Sequence, residues 1–144
     1  MARWLGIDHG LKYVGVAVSD ALGMLARPLT IVKRTSKAAD FAALRRLVEA
    51  HDVEAVVVGL PLNPEGDDHK QAESVRRWAE RLAAAVLVPV WLWNESFSSF
   101  EAEHLLAGRR SRDRIDDAAA AVILQSFLDA RRENPDAGER VQVE

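Results

Sequence analysis

Three carboxylates in this chain of 144 residues stand where apolar runs end or begin. Asp8 closes Trp4-Leu5-Gly6-Ile7, Glu95 follows Val90-Trp91-Leu92-Trp93-Asn94, and Asp116 opens Asp116-Asp117-Ala118-Ala119-Ala120-Ala121. Taken singly, each has an ordinary use: an Asx-turn for Asp8, a complement to a helix dipole for Asp116, a solvated loop for Glu95. Brought to one point, the three would repel one another unless a cation lay between them. The chain has no cysteine, so the donors are hard oxygens, which select Mg²⁺ or Mn²⁺. Two such ions about 3.5–4 Å apart can clamp a phosphodiester, one activating water and the other stabilising the leaving oxygen.

Convergence needs a particular scaffold. Residues 3–9 and 13–20 read as two strands joined by a short glycine-containing turn, and residues 23–33 as a third strand that Pro28 marks as an edge or an interruption. Thr35 or Ser36 caps a helix to about residue 51, with Phe41, Leu44, Leu47 and Val48 at helical spacing. Residues 54–59 form a continuously apolar strand of the kind buried on both faces. A loop over 60–66, a helix over 68–86 and a strand over 88–93 follow. Ser98-x-x-Glu101 is a capping box that opens a helix to about residue 107. A last helix spans 114–132, and residues 133–144 form a polar, loose tail. The order βββαβαβα describes one α/β domain over 1–132, a mixed five-stranded sheet flanked by helices. If the first and fifth strands lie side by side and parallel, Asp8 and Glu95 share an edge of that sheet, and Asp116 reaches it from the helix.

Composition is globular, with 49% hydrophobic and 28% charged residues and no repeat. No long apolar stretch suits a signal peptide or a membrane span, which leads to the expectation of a soluble, cytoplasmic protein without a membrane partner. Net charge is −3, yet the basic residues comprise 15 Arg and only 4 Lys, and they cluster. The pairs Lys33-Arg34, Arg45-Arg46, Arg76-Arg77 and Arg131-Arg132 read as solvated helix faces. The denser run Arg109-Arg110-Ser111-Arg112-Asp113-Arg114 is a candidate for phosphate contacts, because arginine offers planar bidentate donors. His9, His51 and His104 are scattered without ligand spacing and receive no role.

Three stretches resemble the signatures of the YqgF/RuvX family. They are Gly6-Ile-Asp-His-Gly-Leu-Lys-Tyr-Val-Gly-Val-Ala-Val-Ser-Asp20, Val58-Gly-Leu-Pro-Leu-Asn-Pro-Glu-Gly66 and Ile115-Asp-Asp-Ala-Ala-Ala-Ala-Val-Ile-Leu-Gln125, with matching order and separations. The resemblance implies an RNase H-like fold and a metal-dependent nuclease acting in Holliday-junction resolution, in 5′-end maturation of 16S ribosomal RNA, or in both. It carries the catalytic and metal-binding roles to Asp8, Glu95 and Asp116. Lys12 matches the family's lysine in the first turn and, like Asn63, is a candidate phosphate contact. Where the family usually reads Asp-Glu-Arg-x-Thr-Thr, this chain has Asn94-Glu95-Ser96-Phe97-Ser98-Ser99. Ser98 and Ser99 keep the hydroxyls, the arginine is gone, and Arg109, Arg110, Arg112 and Arg114 are candidates to replace its grip on the substrate.

Two further readings stay open. An actin-like ATPase shares the strand–turn–strand with Asp-x-Gly but needs a second such domain, which 144 residues do not supply. A ribosome-assembly or nucleic-acid-binding module with little catalysis accommodates the altered residues 94–99. On the last helix, Ile115, Ala119, Val122, Ile123, Phe127 and Ala130 form an expected core-facing stripe, while Ala118, Ala121, Leu124 and Leu128 leave the other side apolar. With Phe97, Phe100, Leu105 and Leu106 nearby, that surplus motivates a homodimer.

Overall fold

A mixed six-stranded sheet organises the described part of the molecule. The computed structural model describes residues 2–61, 69–94 and 116–143. Within them run β1 (Trp4–His9), β2 (Tyr13–Ser19), β3 (Ala26–Lys33), α1 (Lys37–Ala50), β4 (Ala55–Leu60), α2 (His69–Val86), β5 (Val90–Asn94), α3 (Asp116–Glu133) and β6 (Glu139–Arg140). The helix expected from Ser98 lies outside the described residues. β1, β2 and β3 form an antiparallel meander, whereas β1–β4 and β4–β5 pair in parallel. This is the expected mixed α/β sheet flanked by helices, with one strand more and the order β3-β2-β1-β4-β5-β6. β1 and β5 are not neighbours, because β4 lies between them.

Local chemistry accounts for each boundary. All six residues of β4 are buried, as a parallel strand covered on both faces requires. β3 begins at residue 26 rather than 23 because Asp20 closes a turn, its Oδ1 accepting from the Met24 amide at 2.8 Å. Pro28 sits on this edge strand beside a register shift at Val16/Ala17, where the lost amide costs no central pairing. Ser36 caps α1 by accepting from the Ala39 amide at 3.1 Å.

The period of two splits the strands between two cores. Leu5, Ile7, Val14, Val16, Val56, Val58, Val90 and Leu92 face α1 and α2, packing with Leu44, Val75, Trp78 and Leu82. Ala17 and Val57 face the other way, toward Ala120, Leu124, Phe127 and Leu128 of α3. Burying a side chain such as Phe127 contributes about 1.5–3 kcal/mol. The side of α3 that meets the sheet is therefore the one carrying Leu124 and Leu128, which the sequence pattern set opposite the core. Val122 and Ile123 are buried as well, so the larger apolar side chains of α3 are covered within the chain; Phe97, Phe100, Leu105 and Leu106, which completed the case for a homodimer, lie outside the described residues. No helix among the described residues is long and apolar enough to cross a membrane.

The segment read as a loose tail takes part in the fold. Glu139–Arg140 adds the sixth strand to β5, Val141 donates its amide to the Val90 carbonyl at 2.8 Å, and its side chain is buried. Glu139 pairs with Arg76. Arg131, expected on a solvated face, instead lies over Trp91 at 4.6 Å and over Phe127 and Trp4 at 5.5 and 5.6 Å. Its Nη1 also donates to the Ala137 carbonyl at 3.0 Å. Arg131→Ala should therefore lower stability by about 1–2 kcal/mol, through lost cation–π contact and packing. The neighbouring exposed Arg132→Ala should stay within about 0.5 kcal/mol, both read by equilibrium urea denaturation. Equal effects would show that Arg131 does no more than a surface arginine.

Candidate active site

Asp8 lies at the carboxyl end of β1, one residue beyond a level at which three parallel strands are aligned: Ile7 pairs with Val58 and Val58 with Leu92. The crevice outside the carboxyl ends of such strands is the usual position for a ligand. Across the antiparallel ladder, Asp8 is opposite Gly15, so their Cβ directions share a face of the sheet. That face is the one covered by α3.

The start of α3 sits directly above Gly15. A Cβ added to Gly15 would fall 1.9 Å from the Asp116 carbonyl oxygen and 2.9 Å from the Asp116 Cβ. One turn later, a Cβ on Gly6 would fall 2.6 Å from the Leu124 Cβ and 3.0 Å from the Ala120 carbonyl oxygen. Two glycines thus let the helix backbone approach the strand backbone without a side chain between them. Since facing residues in a ladder have Cβ atoms about 4.5–5.5 Å apart, the Cβ atoms of Asp8 and Asp116 lie within about 8 Å of each other. Both residues are half-buried, and both make polar interactions. Asp117 serves the helix start instead, its Oδ1 accepting from the Ala118 amide at 2.9 Å. Arg131 and Arg132 in the last turn complete the charge pattern that a helix dipole favours.

Of the other expected site residues, Lys12 is exposed on the turn leaving β1, at the same edge, and makes no ion pair among the described residues. Glu95, Asn63, Ser98, Ser99, Arg109, Arg110, Arg112 and Arg114 lie outside the described residues. β5 is described to Asn94, which pairs with Leu60 at the end of β4. No group of three His, Cys, Asp or Glu able to hold a metal occurs among the described residues. Asp8 and Asp116 nevertheless bring two carboxylates to one edge, an oxygen-only donor pair that suits a hard divalent cation.

His9 points away from this pair, onto the face of α1 and α2. Its ring lies 4.6 Å from that of Trp78, and burial, followed by the charge of Arg34, lowers its pKa from 6.5 to about 4. The imidazole is neutral at pH 7. Beside it opens a cavity of about 340 Å³ whose lining includes Arg34, Lys37, Arg77, Trp78 and Arg81. Sequence reading missed this cluster because its members come from separate parts of the chain. Its only local signal was the i, i+4 spacing of Arg77 and Arg81 on α2.

A family model described as "RuvX: Holliday junction resolvase" matches residues 2–130. A protein of Myxococcus xanthus named "Putative pre-16S rRNA nuclease" is 45% identical over 135 residues, covering 90% of this chain and 89% of its own. One of the same name from Moorella thermoacetica is 44% identical over 137 residues, covering 92% and 98%. Among solved structures, Thermus thermophilus RuvC in complex with a Holliday junction substrate superposes with a TM-score of 0.60 at 18% identity, covering 97% of this chain and 99% of that one. That likeness extends the shared fold beyond the reach of sequence similarity.

The bare approach at Gly15 generates a sharp expectation. Gly15→Ala should destabilise the protein by about 3 kcal/mol, at the upper end of overpacking costs, because the new methyl meets backbone rather than a flexible side chain. Any activity of the carboxylate pair should fall with it, since relief requires Asp116 to move. An unchanged thermal midpoint would refute so close an approach.

Proposed function

The chain belongs to the RuvX family of Holliday junction resolvases, and from that premise we propose a divalent-metal-dependent endonuclease that hydrolyses phosphodiesters in structured nucleic acid. The observation that carries the reading is Asp116 resting above Gly15, the ladder partner of Asp8, which sets two carboxylates at one sheet edge. Glu95, next in sequence after Asn94, is the third acid of the proposed site. Asp8, Glu95 and Asp116 would hold Mg²⁺ or Mn²⁺, in the two-ion form if all three contribute. Bound there, such ions neutralise charge on the phosphate and acidify the attacking water.

The chain's own residues orient and grip. Asp8 is fixed by the β1 ladder and Asp116 by the helix packed on glycine, so the geometry of the pair is preorganised before substrate arrives. Lys12 at the same edge meets a backbone phosphate, as do Asn63, the hydroxyls of Ser98 and Ser99, and the arginines at 109, 110, 112 and 114. Those arginines take over from the family's arginine, whose position holds Ser96. Contacts of this kind read backbone and shape rather than base, so the site accepts a four-way DNA junction and a precursor of 16S ribosomal RNA on the same terms. The names of the relatives support the RNA and the family description supports the junction. Such substrates place the activity in the cytoplasm. Paired cuts across a junction need two matched sites, which a homodimer supplies. The dimer is tied to the junction reading, because the larger apolar side chains of α3 are buried within the chain. The second reading, a binding module with weak catalysis or none, is favoured by Asn94 and Ser96 standing where the family carries Asp and Arg.

Two experiments separate these readings. Asp8→Asn, Glu95→Gln and Asp116→Asn should each reduce cleavage of both substrates at least roughly 10²-fold, with double variants little worse than single ones, since the acids act as a unit. Full cleavage by any single variant, or by the wild type in excess chelator, would overturn the shared metal site, whereas a wild type that cuts neither substrate would leave the binding module as the better account. Separately, Arg110→Ala with Arg112→Ala should lower affinity across sequences and flatten the log K against log[salt] slope by about 1 per arginine. An unaltered slope would make residues 109–114 a solvated connector.

A further inference from the structure

We propose that the cavity lined by Arg34, Lys37, Arg77, Trp78 and Arg81 is a phosphate-binding site, back to back with the carboxylate pair across β1 and separate from it. Asp8 and His9 are consecutive residues of a strand, so they project to opposite faces of the sheet at the same edge. The acids gather on the side of α3. The cavity opens on the other side, framed by the end of β3, the first turn of α1 and the outer stripe of α2.

Three observations select the ligand. The first is charge: Lys37, Arg77 and Arg81 have no ion-pair partner among the described residues, while Arg34 is shared between Asp40, at 3.9 Å, and the Gly10 carbonyl, at 2.9 Å. Cations that outnumber the counter-charge around one concavity favour a multiply charged anion. The second is an unmet donor. Trp78 is 3% exposed, and its Nε1 is buried with no hydrogen-bond partner among the described residues. An indole N–H can only donate, so what it lacks is an acceptor. Buried donors are nearly always satisfied, so this one is suited to an acceptor on a bound molecule. The third is shape: three guanidinium groups offer the planar fork that matches phosphate oxygens, and about 340 Å³ has room for a phosphate and an attached sugar.

The phosphate can be carried by a nucleic-acid strand that crosses the β1 edge from the acids or by a free phosphate ester. Only the first source rests on the nuclease reading. The test uses the full ¹⁵N-labelled chain in chelator, so that nothing is cut, and follows the four tryptophan indole N–H resonances. Trp78 is the reporter, because Trp4, Trp91 and Trp93 pack on the opposite face of the sheet. Inorganic phosphate, a nucleoside 5′-monophosphate and a single-stranded oligonucleotide are titrated in turn. A saturable shift of the Trp78 resonance is expected, the other three staying fixed. Arg77→Ala with Arg81→Ala, both at exposed helix positions, should weaken the effect at least tenfold.

If the oligonucleotide moves Trp78 and the double variant flattens its salt slope by about 0.7 per charge removed, the strand is the source. If phosphate and the mononucleotide act and the oligonucleotide does not, the source is a free ester. A Trp78 resonance that none of the three moves, or that moves equally in the double variant, overturns the site. Junction or precursor-RNA cleavage alongside an unmoved Trp78 removes this inference and leaves the nuclease. A moving Trp78 in a chain that cuts nothing does the reverse.

Discussion

The backbone of α3 lies on the backbone of β2 with no side chain between them at Gly15. A helix can come that close to a sheet only where the strand carries no Cβ, and the closest approach occurs where Asp116 begins the helix. Further along, the filler grows: a second glycine at residue 6 under Ala120 and Leu124, then Ala17, then Phe127 among Trp4, Trp91 and Trp93. Rings 5.2–6.4 Å apart hold the far end of the helix off the sheet. The helix is wedged open at its carboxyl end and seated at its amino end, which directs its first turn toward the edge where Asp8 stands. Interiors at crystal-like density transmit such wedging, so the position of one carboxylate depends on aromatic packing more than two helical turns away.

Holding that wedge requires the chain's last segment. Arg131 covers the tryptophans and ties to Ala137, the Trp93 indole donates to Ser126 at 3.0 Å, and Gln125 reaches back to the Ala26 amide at 2.8 Å. Gly138, at φ +94°, turns the backbone in a conformation that side chains rarely tolerate, and a Cβ there would meet Phe127 at 2.5 Å. β6 then seals the edge of β5. An otherwise open strand edge is thereby covered, which also removes a template for pairing with another chain.

Alternation along β1 divides the electrostatics of this edge. Asp8 and Asp116 make one face acidic and suited to cations. His9, kept neutral by burial, adds no charge to the other, where four basic side chains line a cavity. A net charge of −3 conceals both, because it averages over surfaces that the sheet keeps apart.

Much of this architecture is written locally. The three-strand meander, the continuously apolar β4, the Ser36 cap and the helical spacing of α1 follow from neighbours within a few residues, where propensity, turn chemistry and hydrophobic period act. Asp8 and Asp116 stand out for the same reason: each interrupts an apolar run at its end. Other features have no local expression. β4 lies between β1 and β5 because pairing is settled by hydrogen bonds between segments about 51 and 34 residues apart. Which side of α3 meets the sheet is undetermined in a helix apolar all round, and the two glycines on β1 and β2 decide it. Glu139–Arg140 is a polar dipeptide with no strand signature, recruited by the free edge of β5. The cavity beside His9 draws its cations from the residue after β3, from α1 and from α2, so basic residues that look solvated in sequence acquire a common purpose only once the chain has folded. Sequence alone determined most of the described elements, with Asp8 at the end of one and Asp116 at the start of another; tertiary structure decided what they face, because facing depends on contacts between residues that the chain order keeps far apart.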